Sequence, residues 1–117
     1  MRVINEEEKK CGQINVILTS EDNLREINRK YLDRDYDTDI IAFDYSVGDV
    51  INGDLFISLE RVRENGLTYG EGEEAELRRV MVHGLLHLTG HKDGNEAEKN
   101  AMRKKEDSYL KIFRPLN

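Results

Sequence analysis

Three short segments with the composition of β-strands most restrict the fold of this chain. They are GQINVILT at Gly12–Thr19, IIAFDY at Ile40–Tyr45 and DLFIS at Asp54–Ser58, and they are rich in β-branched, apolar or aromatic residues. The first is apolar enough to predict a buried strand. Three short strands are too few for a large doubly wound sheet. We therefore predict an α+β fold in which a small mixed sheet packs against helices.

Helical spacing of apolar residues and capping signals predict the other elements. In chain order, the predicted helices are one that follows the N-cap Ser20, one from Leu59 to about Asn65, one from about Glu73 to Gly90, and one from Glu96 to Phe113. The polar, turn-rich segment Asp33–Asp39 is predicted to be a loop. Glycine is the usual residue just past the end of a helix, so the longest helix is expected to stop at Gly90.

Length and composition restrict the class of protein. A chain of 117 residues predicts a single domain over residues 1–117. The net charge of -6 repels nucleic acid and argues against an extended duplex-binding surface, so no DNA partner is expected. A lone cysteine cannot form an internal disulfide, and no apolar run approaches the roughly 20 residues of a membrane span. These features predict a cytoplasmic protein that does not bind membranes.

The stretch HGLLHLTGHKD, His83–Asp93, carries a metal-binding pattern. On a helix, His83 and His87 are separated by about 40° of rotation and about 6 Å of rise, so both rings project from one face. If the helix unwinds at Gly90, the chain can return a third ligand to the same ion, either His91 or Asp93. The spacing matches that of the elongated zinc-protease motif and favours Asp93. We predict that His83, His87 and Asp93 bind one divalent metal ion.

The residue after the first histidine bears on the chemistry. In metallopeptidases of the H-E-x-x-H type, a glutamate at that position is the general base. This chain has Gly84 there, so a zincin-like peptidase is the weaker interpretation unless a carboxylate from elsewhere reaches the site. Glycine inside a helix costs about 1 kcal/mol relative to alanine. Its presence predicts either a tight backbone contact or a path for substrate.

Three blocks of the sequence resemble one family. HGLLHLTGHKD resembles the H-G-x-L-H-L-x-G-Y-D-H signature of the YbeY family, the metal-dependent endoribonucleases and rRNA maturation factors of bacteria. Upstream, INRKYLDRDYDTDIIAFDY resembles the family segment L-N-x-x-Y-R-x-K-D-x-P-T-D/N-V-L-S-F, and NGDLFIS resembles its G-D-I-x-I-S strand. The likeness covers the chain from about Gln13 onward, in the family's order. The segment before Gln13 is short for the family's opening strand and helix.

The chain departs from the family pattern at several positions. Asp93 stands where the family has its third histidine, His91 where it has tyrosine, and Lys92 where it has aspartate. A carboxylate ligand lowers the net positive charge of the site by one unit and makes the metal a weaker Lewis acid. The family's arginine aligns with Leu32, so its role does not transfer to that position. Arg34, two residues later, is expected to supply the nearby cation.

The resemblance implies cleavage of single-stranded RNA and trimming of small-subunit rRNA, with the ribosome as partner. A divalent ion, predicted to be Zn²⁺, can polarise a phosphoryl oxygen and lower the pKa of a bound water. Arg34 or Lys92 is expected to offset developing negative charge, and we predict His83 and Arg34 as catalytic residues. Thr38 and Asp39 fall beside the family's substrate-lining segment, although a simple role at the start of a strand explains them equally well.

Two further interpretations stay open at this point. A non-catalytic ribosome-associated factor with a structural metal predicts a closed shell of four ligands, in which His91 joins His83, His87 and Asp93. An iron oxygenase shares the set of two histidines and one carboxylate. Its ligands are normally displayed from a β scaffold, so a helical histidine pair counts against it.

Overall fold

The computed structural model of the chain describes residues 2–32 and 38–112. Its elements, in chain order, are α1 (Arg2–Glu6), β1 (Lys10–Thr19), α2 (Glu21–Leu32), β2 (Ile40–Asp44), β3 (Val50–Ser58), α3 (Leu59–Thr68), α4 (Glu73–Leu88) and α5 (Glu96–Ile112). The short helix α1 lies in the segment that sequence inspection left without an element. Arg34 and Phe113, which were named above, lie outside the described residues.

The described strands form one mixed sheet in the order β1-β3-β2. The pair β1 and β3 is parallel, with Val16 opposite Leu55, whereas β2 and β3 are antiparallel, with Ala42 opposite Leu55. The parallel pair is connected through α2 and β2, and the antiparallel pair through a short turn around Gly48. The predicted α+β fold with a small mixed sheet is confirmed.

The prediction that the first strand is buried is wrong. Strand β1 lies at an edge of the described sheet, and Val16 and Leu18 are 36% and 48% exposed. Its apolar composition suits a strand with one or two neighbours equally well, so composition alone does not reveal an edge position. The central strand β3 instead contributes the buried side chains, including Leu55 and Ile57, which are fully buried.

Strand β3 also begins earlier than predicted, at Val50 rather than Asp54. Gly53 lies within the paired strand, opposite Asp44. A Cβ at Gly53 would lie 2.7 Å from the Phe43 carbonyl oxygen and 2.8 Å from Leu88 Cδ1. The absence of a side chain therefore lets α4 pack close to the sheet at this point.

Helix α4 is the central helix of the fold. It packs against β2 and β3 on one side and against α3 and α5 on others. The core that contains Leu55, Leu85 and Leu86 joins it to the sheet. A Cβ at Gly84 would lie 2.7 Å from Ile40 Cδ1 and 2.9 Å from Leu55 Cδ2, so the predicted tight contact is with side chains of the sheet.

The predicted N-cap Ser20 is confirmed, and two further helices are capped in the same way. Ser20 and Ser58 accept hydrogen bonds from the backbone N–H groups three residues later, at 3.1 and 3.2 Å. Asn95 accepts one from the Glu98 N–H at 2.8 Å. Among the described residues, no helix combines the length and the apolar character needed to cross a bilayer.

Candidate metal centre

Two histidines on α4 form the centre of the site. His83 and His87 lie one helical turn apart on α4, and their Nε2 atoms are 3.0 Å apart. Their side chains are 24% and 30% exposed, so both rings are held by the protein and still reach solvent. The predicted convergence of the two rings is confirmed.

The third group comes from the chain beyond the helix. Gly90 has a φ of 106°, which is the left-handed region that favours glycine, and α4 ends just before it. The chain then turns back, and Asp93 Oδ2 lies 3.3 Å from the Nε2 atoms of both His83 and His87. His83, His87 and Asp93 therefore each provide one atom that could bind the same metal ion.

Hydrogen bonds on the far side of each ring fix which nitrogen faces the group. His83 Nδ1 lies 2.5 Å from Glu106 Oε2, and His87 Nδ1 lies 3.0 Å from the backbone oxygen of His91. A carboxylate and a carbonyl accept hydrogen bonds, so each Nδ1 donates a proton. In the neutral rings, both Nε2 lone pairs then point at each other and at Asp93.

This donor set fits a divalent cation. Electron-rich atoms at 3.0–3.3 Å repel one another unless positive charge lies between them. Donors about 2.0–2.1 Å from a tetrahedral Zn²⁺ are about 3.3–3.4 Å apart, close to the measured separations. Two imidazoles and one carboxylate also match the ligand types that zinc takes in catalytic sites, where three protein ligands are usual.

His91 lies outside this group. Its Nε2 lies 2.5 Å from Glu7 Oε1, while its backbone oxygen accepts from His87. A structural metal predicts a closed shell of four ligands. The described residues do not form that shell, because His91, the fourth expected donor, is directed to Glu7. The preference for Asp93 over His91 agrees with this placement.

Glu106 on α5 was not identified from the sequence. Its side chain is 7% exposed, and it contacts both His83 and Arg79, the latter at 3.0 Å. Burial by itself would lower the pKa of His83, but the hydrogen bond and charge of Glu106 outweigh burial and raise that pKa above 6.5. A carboxylate that accepts from the outer nitrogen of a ligating histidine fixes the ring's orientation and strengthens it as a ligand.

One signal in the sequence could have revealed Glu106. Met102, Glu106 and Tyr109 follow one another at helical spacing on α5, and all three are buried. An acidic residue in the apolar stripe of an amphipathic helix requires a buried partner. The identity of that partner, which is 23 residues away, is set by tertiary packing and was not available.

A large cavity opens beside the three donors. Its volume is about 1340 Å³, and its lining includes His83, His87, Asp93, Thr38 and Asp39. Thr38 also donates to the Ile40 carbonyl oxygen at 3.1 Å, which supports its role at the start of β2. Both predicted interpretations of Thr38 and Asp39 are thus compatible with their positions.

Glu76, a buried acid in the cavity lining, has a raised pKa. Glu76 is 8% exposed, and burial together with the nearby charge of Asp39 raises the pKa of its carboxyl group. Lys92, which was expected to be an alternative cation for the reaction, has an exposed side chain. Arg34 lies outside the described residues.

The fold and the site together define a class. A small α+β domain presents a helix with two histidines, a glycine-ended turn and a carboxylate, and these converge beside an open cavity. This arrangement could hold a metal ion and leaves room beside it for a substrate. The family model for Endoribonuclease YbeY matches residues 1–114. The chain belongs to the YbeY family, as its three sequence blocks predicted.

Individual relatives agree with the family model. A protein named Endoribonuclease YbeY from Flavobacterium psychrophilum is 51% identical over 111 residues, which cover 95% of this chain and 79% of that protein. A protein of the same name from Phocaeicola vulgatus is 46% identical over 90% of this chain and 76% of its own length. A solution structure of a Thermotoga maritima protein matches with a TM-score of 0.66 and 30% identity, over 94% of this chain and 73% of that one.

Proposed function

We propose that this protein is a metal-dependent endoribonuclease that cleaves single-stranded RNA and acts in the maturation of the 3′ end of small-subunit rRNA. The reaction class is that in the names of its relatives. The observation that carries the proposal is the convergence of His83, His87 and Asp93 on the wall of a large cavity. Because rRNA is the proposed substrate, the cytoplasm is the proposed location and the small ribosomal subunit the proposed partner.

Three donors distinguish a catalytic centre from a structural one. Structural zinc sites are closed by four protein ligands, whereas catalytic sites use three and keep one position for water or substrate. The described residues provide three, since His91 is directed to Glu7. When bound, a divalent ion, proposed to be Zn²⁺, supplies Lewis acidity toward a phosphoryl oxygen and lowers the pKa of water.

The surrounding residues hold the donors and neutralise charge. Glu106 and the His91 backbone oxygen fix the rings of His83 and His87 with Nε2 directed at Asp93. We assign Arg34 the role of offsetting negative charge that develops on the cleaved phosphodiester, on the basis of its place in the family-like segment. His83 is a metal ligand and in that sense part of the catalytic machinery.

Metal analysis combined with RNA cleavage tests the proposal. The purified protein is expected to contain one zinc ion per chain and to cleave unstructured RNA, and His87→Ala is expected to lose both. His91→Gln is the matched control, because it removes a histidine four residues away that is not among the three donors. It should retain one ion per chain. Stoichiometric metal in a wild-type protein that cleaves no RNA would instead favour a structural ion.

The ends of the cleavage products identify the nucleophile. Attack by water, which we propose, leaves no cyclic phosphate, whereas attack by the neighbouring 2′-hydroxyl produces a 2′,3′-cyclic phosphate. In cells that lack the protein, small-subunit rRNA with an unprocessed 3′ end is expected to accumulate. Wild-type protein should reverse this accumulation and His87→Ala should not; reversal by His87→Ala would contradict a catalytic role.

A further inference from the structure

The cavity beside the metal centre is lined in part by positively charged side chains. Helix α5 lines it with Lys99, Arg103 and Lys111, which we call the α5 cationic row. His83 and His87 line the same cavity from α4, which packs against α5. At about 1340 Å³ the cavity exceeds the roughly 300–1,000 Å³ of sites for small ligands. Its size suits a segment of an extended polymer.

The three cations of the row are spread along the length of α5. Lys99 and Arg103 are four residues apart, which places them on one face of α5 with an axial separation of about 6 Å. Lys111 lies eight residues beyond Arg103, about 12 Å further along the helix axis and about 80° around it. Asp107 lies between Arg103 and Lys111 in sequence, and its carboxylate is paired with Arg79 at 2.7 Å. The separation of Lys99 and Arg103 by about one helical turn is close to that of successive phosphates along an extended nucleic-acid strand.

The cations of the row are available to a ligand. Over residues 3–31 and 38–111, none of the three forms an ion pair or a side-chain hydrogen bond, although Glu76 is close enough to Arg103 to be influenced by its charge. The two cationic side chains that α4 adds to the lining are neutralised: Arg78 pairs with Glu74, and Arg79 pairs with Glu106 and Asp107. The chain as a whole has a net charge of -6, so unpaired cations along one cavity wall are not a consequence of general basicity.

We propose that the α5 cationic row is the track on which the phosphate backbone of single-stranded RNA lies. Phosphates that flank the cleaved bond contact Lys99 and Arg103, and the next part of the strand reaches Lys111. The cleaved bond then lies beside the three donors, which line the same cavity. This inference rests on the proposed endoribonuclease function and adds to it the residues that bind substrate. Contacts of this kind position the strand and carry no sequence information.

Salt dependence of RNA binding tests the track directly. Binding of a short fluorescein-labelled single-stranded RNA is measured by anisotropy at several salt concentrations, in a His87→Ala background so that the RNA stays intact. Each phosphate contact contributes about 0.7 to the slope of log affinity against log salt concentration for a single strand. We expect the combined variant Lys99→Ala and Arg103→Ala to lower the magnitude of this slope by about 1.4. The same change is expected with single-stranded DNA of equal sequence, because the contacts are to phosphates.

Lys104→Ala provides the matched control. Lys104 is exposed on the same helix, next to Arg103, but it does not line the cavity. Its removal should leave the slope unchanged. In the catalytically competent protein, the combined variant should raise KM several-fold with little change in kcat, since the row contacts flanking phosphates rather than the reacting atoms.

The outcomes separate the track from the proposed activity. If the combined variant leaves the slope unchanged, or if Lys104→Ala lowers it as much as one cavity cation does, the track is overturned even when wild-type protein cleaves RNA. If the slope falls as expected while the wild-type protein cleaves no RNA, the track stands and the endoribonuclease proposal fails. A wild-type protein that binds no single-stranded RNA at low salt overturns both.

Discussion

Glu7 connects the start of the chain to the segments around the metal centre. Its ionised carboxylate is expected to stabilise the folded protein, and its protonation in acid is expected to lower the free energy of unfolding. Its side chain is 9% exposed and contacts His91 and Lys105 at 2.5 and 2.8 Å, and it also accepts a hydrogen bond from the Tyr109 hydroxyl. Burial acts to raise the pKa of Glu7, but the hydrogen bonds from Lys105, Tyr109 and His91 outweigh it and lower the pKa from 4.5 to about 2.

The magnitude follows from the size of the shift. A fall in pKa from 4.5 to about 2 corresponds to about 3 kcal/mol at about 1.4 kcal/mol per unit. Solvent at the rim of the cluster screens part of this, so about 1–2 kcal/mol is expected in practice. The folded-state pKa is depressed, so this stability is present above pH 4.5 and is lost as the pH falls toward 2.

Urea unfolding of wild type and Glu7→Gln measures this effect. The glutamine cannot ionise, so the stability difference between the two proteins should shrink by about 1–2 kcal/mol between pH 7 and the acid end of the range. With a urea m-value of about 2 kcal/mol per molar, the gap between the two midpoints should narrow by about 0.5–1 M. A chelator in all samples removes any contribution from bound metal.

A neighbouring glutamate supplies the comparison for Glu7. Glu8 is exposed, so Glu8→Gln reports the general effect of removing one charge. The reasoning is refuted if the difference between wild type and Glu7→Gln stays constant over the whole pH range, or if Glu8→Gln reproduces its pH dependence.

Three further substitutions test the hydrogen bond behind His83, the close packing at Gly84 and the cap of α3. Glu106→Gln should weaken zinc binding about 10–100-fold in competition with a chelator, because it removes the charge behind His83; Asp107→Asn, which leaves that contact intact, should not. Gly84→Glu should unfold the protein rather than confer peptidase activity, since the added carboxylate would enter the core, and a native thermal transition would contradict this. Ser58→Ala should lower stability by about 1 kcal/mol in urea unfolding through loss of the cap of α3; an unchanged midpoint would contradict it.

The parts of the site that are local in sequence were predictable. The spacing of His83 and His87 fixes a common helix face, and the glycine at position 90 ends the helix in the left-handed conformation that lets Asp93 return. Both relations depend on helix geometry and a single backbone preference. The same is true of the helix caps, which depend on residues three positions apart.

The parts that depend on packing between distant segments were not predictable. Glu106 reaches His83 from another helix, and Glu7 reaches His91 across 84 positions. Nothing in the local pattern around His91 reveals that its ring is already engaged. The burial of β1 was misjudged for the same reason, because the number of neighbouring strands is a property of the sheet and not of the segment.

The acidic third donor and the α5 cationic row have opposite effects on the potential that a phosphodiester meets. Asp93 brings one more negative charge to the centre than a third histidine would, and Glu106 adds another behind His83. Arg79 offsets Glu106 by direct pairing, whereas Asp93 remains to weaken attraction for phosphate, together with Asp39 and Glu71 elsewhere in the cavity lining. Unpaired Lys99 and Arg103 supply positive charge to the same cavity from α5. In this arrangement, attraction of the strand depends more on α5 than it would in a centre with three neutral ligands.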